Sequence, residues 1–177
     1  MHTLVFLGMI YAACGFVISL VAHVMAIFGD MPGGNGLFFA LHIGIFPVFA
    51  LMISLFGMSG SSMKGWSAFK PILSGCPRWM HYLVYGSFGY AFVNFALFFV
   101  QGFVSPDAVQ PHGSNPPAMA WRGFSGHWML FYSVALAGLT TAYNKGPDNL
   151  KPRCRLGHAV SFDDKFCPTC GSAIDKS

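Results

Sequence analysis

Apolar residues fill four long segments of this chain, and polar residues are confined to the short stretches between them and to the last thirty or so positions. The segments are 4–28, 37–57, 80–103 and 123–143. Each has about 20 or more residues, which is enough for a helix to cross roughly 30 Å of hydrocarbon. The pattern therefore predicts an all-α integral membrane protein with a four-helix transmembrane bundle in residues 1–143.

The composition supports a lipid surrounding for these segments. Hydrophobic residues make up 54% of the 177 residues, charged residues only 9%, and glutamate does not occur. An ordinary soluble domain has about 25% charged residues. Because a small soluble core cannot bury so many large apolar side chains, we expect the lipid bilayer to be the main partner of the chain.

The basic residues predict the orientation of the bundle. Nine of the ten lie between the second and third segments or after the fourth, and only Arg122 lies in the other set of loops. The positive-inside rule assigns the basic side to the cytoplasm. We therefore expect both termini to be cytoplasmic, and we expect the membrane to be a bacterial inner membrane.

Four candidate metal ligands lie in the polar tail, residues 153–177, which follows a linker at 144–152. Cys154 and His158 form a Cys-x3-His pair, and Cys167 and Cys170 form a Cys-x2-Cys pair. Thiolates and imidazole in two tight turns are the ligands of a tetrahedral zinc ion. The reducing cytosol would keep these thiols free to bind a metal.

The segment from Arg153 to Ser172 resembles the short zinc-ribbon modules that are appended to many bacterial proteins, although its first turn carries a histidine in place of a second cysteine. The resemblance implies a zinc-ribbon-like tail. Four protein ligands leave no open position for water, so the zinc would be structural. The leading hypothesis is a non-enzymatic membrane protein whose tail serves folding or the docking of a cytosolic protein.

Other classes of function are disfavoured. The sequence has no phosphate-binding loop, nucleophile elbow or His-Glu-x-x-His motif, which disfavours an enzyme. From Lys145 onward there are six basic and four acidic residues, which is too weak a positive charge to indicate nucleic-acid binding. A homodimer is permitted by stripes of small residues on the first and fourth segments. The stripe on the first comprises Gly8, Ala12, Gly15, Ser19, His23 and Ala26.

Three histidines support an alternative hypothesis. His23, His42 and His127 each lie roughly 6–8 Å below the same membrane interface when the segments are helical. Imidazoles at one depth could bind haem or a second metal, or donate hydrogen bonds to a quinone. If the histidines bind no cofactor, we expect each to form hydrogen bonds only with backbone carbonyls or interfacial water.

A polar face is also present on the third segment, where Ser87, Tyr90, Asn94 and Gln101 recur at helical spacing. A buried amide between membrane helices is typically hydrogen-bonded to a neighbouring helix. We therefore expect Asn94 to make a polar helix contact.

Overall fold

The computed structural model describes residues 1–30, 33–56, 69–104, 117–146, 150, 153–160 and 164–174. Within these ranges the chain is 78% helical and has no strand, so the prediction of an all-α protein is confirmed there. The helices are α1 (His2–Ile27), α2 (Gly34–Phe56), the short α3 (Phe69–Leu73), α4 (Arg78–Val104) and α5 (Ala118–Lys145).

Three of these helices, α1, α2 and α4, are long and apolar enough to cross a membrane. They correspond to the first three predicted segments, and α1 and α4 begin two residues earlier than predicted. Residue 57, the predicted end of the second segment, lies outside the described residues. Many of their large apolar side chains face outward, as expected for helices in contact with lipid.

The fourth predicted segment lies within α5, which is less apolar than the other three helices and is not among the three long apolar ones. It packs against α1, α4, α2 and α3. Trp121, Trp128, Tyr132 and Leu139 on this helix are each no more than 1% exposed. Because other helices cover α5, it can carry hydroxyl and glycine residues that a lipid-facing helix would replace with larger apolar ones.

The contact between α1 and α5 is close because small residues face bulky ones. Five members of the α1 stripe of small residues are buried, and Gly8 is half-buried. A Cβ atom placed on Gly15 would lie 2.6 Å from Cζ of Tyr132, and one on Gly8 would lie 3.1 Å from Cδ1 of Leu139. The large side chains of α5 therefore rest directly on the α1 backbone.

Hydrogen bonds join the last turns of α5 to the segment around α3. The Thr141 hydroxyl donates to the carbonyl of Ile72 over 2.5 Å, and the Asn144 side chain donates to the carbonyl of Gly75 over 2.9 Å. Leu150, in the predicted linker, is 6% exposed and belongs to the same hydrophobic core as the helices. The chain is thus anchored to the bundle only a few residues before the tail begins.

We expect Gly15→Ala to lower the stability of the protein by about 1–2 kcal/mol, because the new methyl group must displace the Tyr132 ring. Thermal and denaturant unfolding in detergent micelles, followed by circular dichroism, measures this. Gly89→Ala on α4 is the matched control, since no atom lies within 4 Å of a Cβ atom there. Equal stability of the two variants would contradict the close α1–α5 contact.

Candidate metal centre

The first turn of the tail is closed by the backbone of the residues that carry the first two ligands. The Cys154 amide donates to the His158 carbonyl over 3.0 Å, and the Gly157 amide donates to the Cys154 carbonyl over 2.8 Å. Gly157 has a φ angle of +82°, which glycine adopts with little strain. This turn brings the side chains of Cys154 and His158 together.

The second turn, around Cys167 and Cys170, is closed by a similar pair of backbone hydrogen bonds but is one residue longer. The Cys167 amide donates to the Ser172 carbonyl, and the Gly171 amide donates to the Cys167 carbonyl, both over 2.8 Å. Gly171 has a φ angle of +70°. Antiparallel bridges, Arg153 with Ala159 and Phe166 with Ala173, close the base of the two turns. Residues 161–163 and 175–177 of the predicted tail lie outside the described residues.

The four ligand atoms converge. One ligand atom from each of Cys154, His158, Cys167 and Cys170 lies within 4.8 Å of all the others. The Nδ1 atom of His158 is 3.5 Å from Sγ of Cys154 and 3.8 Å from Sγ of Cys167, and the Sγ atoms of Cys154 and Cys170 are 3.7 Å apart.

These separations match the edges of a tetrahedron around a metal ion. Zinc bonds of about 2.3 Å to sulfur and about 2.0–2.1 Å to nitrogen place two ligand sulfurs about 3.8 Å apart, and a sulfur and a nitrogen about 3.6 Å apart. The group of three cysteines and one histidine can therefore hold a metal ion.

The surroundings of the cysteines favour ligation. Cys154 and Cys167 are 6% and 2% exposed and pack with Val160 and Ile174. The Ser172 hydroxyl lies 3.1 Å from the sulfur of Cys170, and hydrogen bonds from this hydroxyl and from the Ser172 backbone lower the pKa of Cys170 to about 7, whereas burial raises the pKa of Cys167. A substantial fraction of the Cys170 side chain is thus thiolate at neutral pH, which is the form that binds a metal.

The three membrane histidines lie around one turn of α5. His23 on α1 contacts Ser125, His42 on α2 contacts Trp128, and His127 is itself on α5. Positions 125 to 128 span about 4.5 Å along a helix axis but point in different directions, at about 100° per residue. The tail cluster is the only group of three or more candidate metal ligands in the described part of the chain, so the three imidazoles do not share one ion there.

Each of these histidines has a different environment. His23 is 3% exposed, and its two ring nitrogens lie 2.7 Å from the Ser125 hydroxyl and 2.5 Å from the Tyr90 hydroxyl. His42 is exposed and accepts a 3.2 Å hydrogen bond from the Trp128 indole at Nδ1. His127 packs against Phe95, and its buried Nδ1 has no hydrogen-bond partner among the described residues. Binding of haem or a second metal by any one of them stays a prediction.

Asn94 lies on α4 and is 3% exposed. Its side-chain amide donates to the carbonyl of Arg122 on α5 over 2.6 Å and covers Gly126. Sequence reasoning did not identify Ser125 and Tyr90 as the hydrogen-bond partners of His23. Tyr90 does belong to the polar face of α4 that also includes Asn94.

Comparison of the chain with protein-family models, with curated proteins and with solved structures finds no match in any of the three. The case for a function therefore depends on the geometry of the residues.

We expect Gly157→Ala to weaken metal binding about tenfold, because a side chain in this left-handed conformation costs about 1–2 kcal/mol while no neighbouring atom is displaced. Competition against a chromophoric chelator measures the affinity of the purified protein. Thr169→Ala, at an exposed position of the second turn that offers no metal ligand, is the control and should bind as the unaltered chain does. Unchanged affinity in Gly157→Ala would show that the first turn does not determine the metal site.

Proposed function

We propose that this chain is a non-enzymatic integral membrane protein whose small cytosolic tail folds around one structural zinc ion and presents a docking module at the inner membrane surface. The observation that supports this most directly is the convergence of four ligand atoms to within 4.8 Å of one another. The three long apolar helices supply the membrane anchor.

The chemistry of the ligands favours zinc. Three sulfurs and one imidazole nitrogen form a soft to borderline set, and separations of 3.5–3.8 Å suit a tetrahedral ion. All four positions are filled by the protein, which leaves no site for a catalytic water. The metal therefore serves folding rather than a reaction.

The tail needs a metal because its own core is very small. Its buried apolar cluster consists of Cys154, Val160 and Cys167, with Cys170 and Ile174 packed against it. Three of these five residues are metal ligands, so little apolar surface is left to drive folding. Domains of this size usually require a metal or disulfides.

We further propose that α5 is the fourth span. It is 28 residues long, carries no charged residue between Arg122 and Lys145, and packs against all three apolar helices. Its lower hydropathy follows from its central position, since its neighbours are helices rather than lipid. An even number of spans places both termini on one side, and the distribution of basic residues makes that side the cytoplasm.

The tail is held close to the bundle. Leu150 is buried in the helical core, and Cys154 follows four residues later, so the metal site lies at most about 14 Å along the chain from this anchor. Two large apolar side chains of the tail, Leu156 and Phe166, are 68% and 63% exposed. We propose that they contact a cytosolic protein that is recruited to the membrane.

The purified protein should contain one zinc ion per chain, and Cys167→Ser and Cys170→Ser should each lose it. Elemental analysis of the detergent-solubilised protein measures the metal, and circular dichroism should show that the helices are retained. Cys14→Ser and Cys76→Ser are matched controls, because these free cysteines lie on α1 and before α4, outside the tail cluster. Metal that persists after loss of Cys167 and Cys170 would overturn the proposed site.

Reporter fusions test the fourth span. We expect alkaline phosphatase fused after residue 104 to be active and a fluorescent protein fused after residue 177 to be fluorescent, because α5 would return the chain to the cytoplasm. The reciprocal fusions should be inactive. Active phosphatase at residue 177 would show that α5 does not cross the membrane.

A further inference from the structure

A groove of about 420 Å³ lies between α1 and α4, with Met129 of α5 among the residues that line it. Helices α1 and α4 both pack extensively on α5 but have little contact with each other, so the groove between them opens sideways toward the lipid. Most of its lining surface is apolar. His23, Tyr82, Ser87 and Tyr90 carry the polar side-chain atoms of the lining, and Gly86 leaves open space where a side chain would stand.

We assign one direction to the hydrogen bonds around His23. The Ser125 hydroxyl lies 3.1 Å from the Arg122 carbonyl and 2.7 Å from Nδ1 of His23, and we place its single proton in the bond to the carbonyl. In this assignment the Ser125 oxygen accepts from Nδ1–H of His23. An ionised group is costly inside a membrane, so the imidazole is neutral and its Nε2 accepts from the Tyr90 hydroxyl at 2.5 Å.

Tyr90 consequently has no proton left to donate and presents only oxygen lone pairs toward a ligand. Its side chain is 43% exposed, whereas His23 behind it is 3% exposed. A ligand that bonds to this tyrosine must therefore bring its own hydroxyl proton.

The charge of the lining restricts the ligand further. No Asp, Glu, Lys or Arg is among the described residues that line the groove, so a charged phospholipid head group would find no counter-charge there. The ligand must be neutral, and an aromatic ring suits a groove lined by the tyrosine ring and the thioether of Met129.

We propose that this groove binds a lipid-soluble hydroquinone, with one of its hydroxyls donating to the Tyr90 oxygen and its ring lying between α1 and α4. His23 acts as a positioning residue, since it holds the Tyr90 proton and so leaves the tyrosine as an acceptor. This site is independent of the metal site in the tail.

The direction of the hydrogen bonds makes the site selective for the reduced ligand. The oxidised quinone has carbonyl oxygens in place of hydroxyls and can donate nothing to Tyr90. The quinone can accept a hydrogen bond from Tyr90 only if every hydrogen bond from Tyr90 through His23 to Ser125 reverses its direction. The hydrogen bond from Ser125 to the Arg122 carbonyl is then lost. We expect the hydroquinone to bind about five- to tenfold more tightly than the quinone.

Isothermal titration calorimetry on the full chain in phosphatidylcholine nanodiscs, under anaerobic conditions, tests the proposal with a decyl-substituted benzohydroquinone. Parallel titrations use the matching quinone, decanol and a short-chain diacylglycerol, and empty nanodiscs are subtracted. Tyr90→Phe should weaken hydroquinone binding about five- to tenfold, because it removes the acceptor oxygen. Tyr82→Phe, which makes the same change at a 76% exposed position of the groove, should not.

Gly86→Leu should abolish binding by filling the groove, and Gly89→Leu is its matched control. No atom lies within 4 Å of a Cβ atom at either position, but only Gly86 lines the groove. Both variants should keep their helicity and their zinc, so failure of this proposal is distinct from failure of the metal site. The proposal is overturned if the hydroquinone does not bind, if Gly86→Leu binds it normally, or if the quinone, decanol or diacylglycerol binds as tightly.

Discussion

The fold depends on close contact between α1 and α5. In a bilayer, apolar side chains gain little by leaving lipid for another helix, so association depends on packing and on buried hydrogen bonds. Here Gly15 lets Tyr132 rest on the α1 backbone, and the Tyr132 hydroxyl donates over 3.0 Å to the carbonyl of Leu41 on α2. One side chain of α5 thus joins two of the outer helices, and α4 is joined separately through Asn94.

The tail and the helical bundle are stabilised by different means. The bundle has large buried side chains around α5, whereas the core of the tail consists of only five residues. In the tail, two backbone turns bring four ligand atoms to within 4.8 Å of one another, and a metal ion bound there would take the place of a core. Leu150 connects the two parts, because it is buried among the helices only a few residues before the first ligand.

Polar side chains inside the bundle are mostly paired with one another or with backbone carbonyls. Asn94 donates a hydrogen bond directly to the carbonyl of Arg122, and His23 is connected to the same carbonyl through Ser125. This arrangement keeps His23 away from His42 and His127, which lie against other faces of α5. The three histidines therefore have separate surroundings, and a role for one does not carry over to the others.

The sequence alone predicted the three long apolar helices and the four candidate metal ligands, because both depend on local spacing. A helix of about 20 apolar residues is long enough to cross a bilayer. Each closely spaced pair of ligands lies within a single turn, whose form depends on neighbouring residues in the sequence. The tertiary structure decided which helix lies at the centre. That helix is α5, which is less apolar than the other long helices, and the packing of these helices around it explains its lower apolarity. It also decided that His23 pairs with Tyr90 and Ser125, because these residues are 67 and 102 positions away and meet only when three helices pack together.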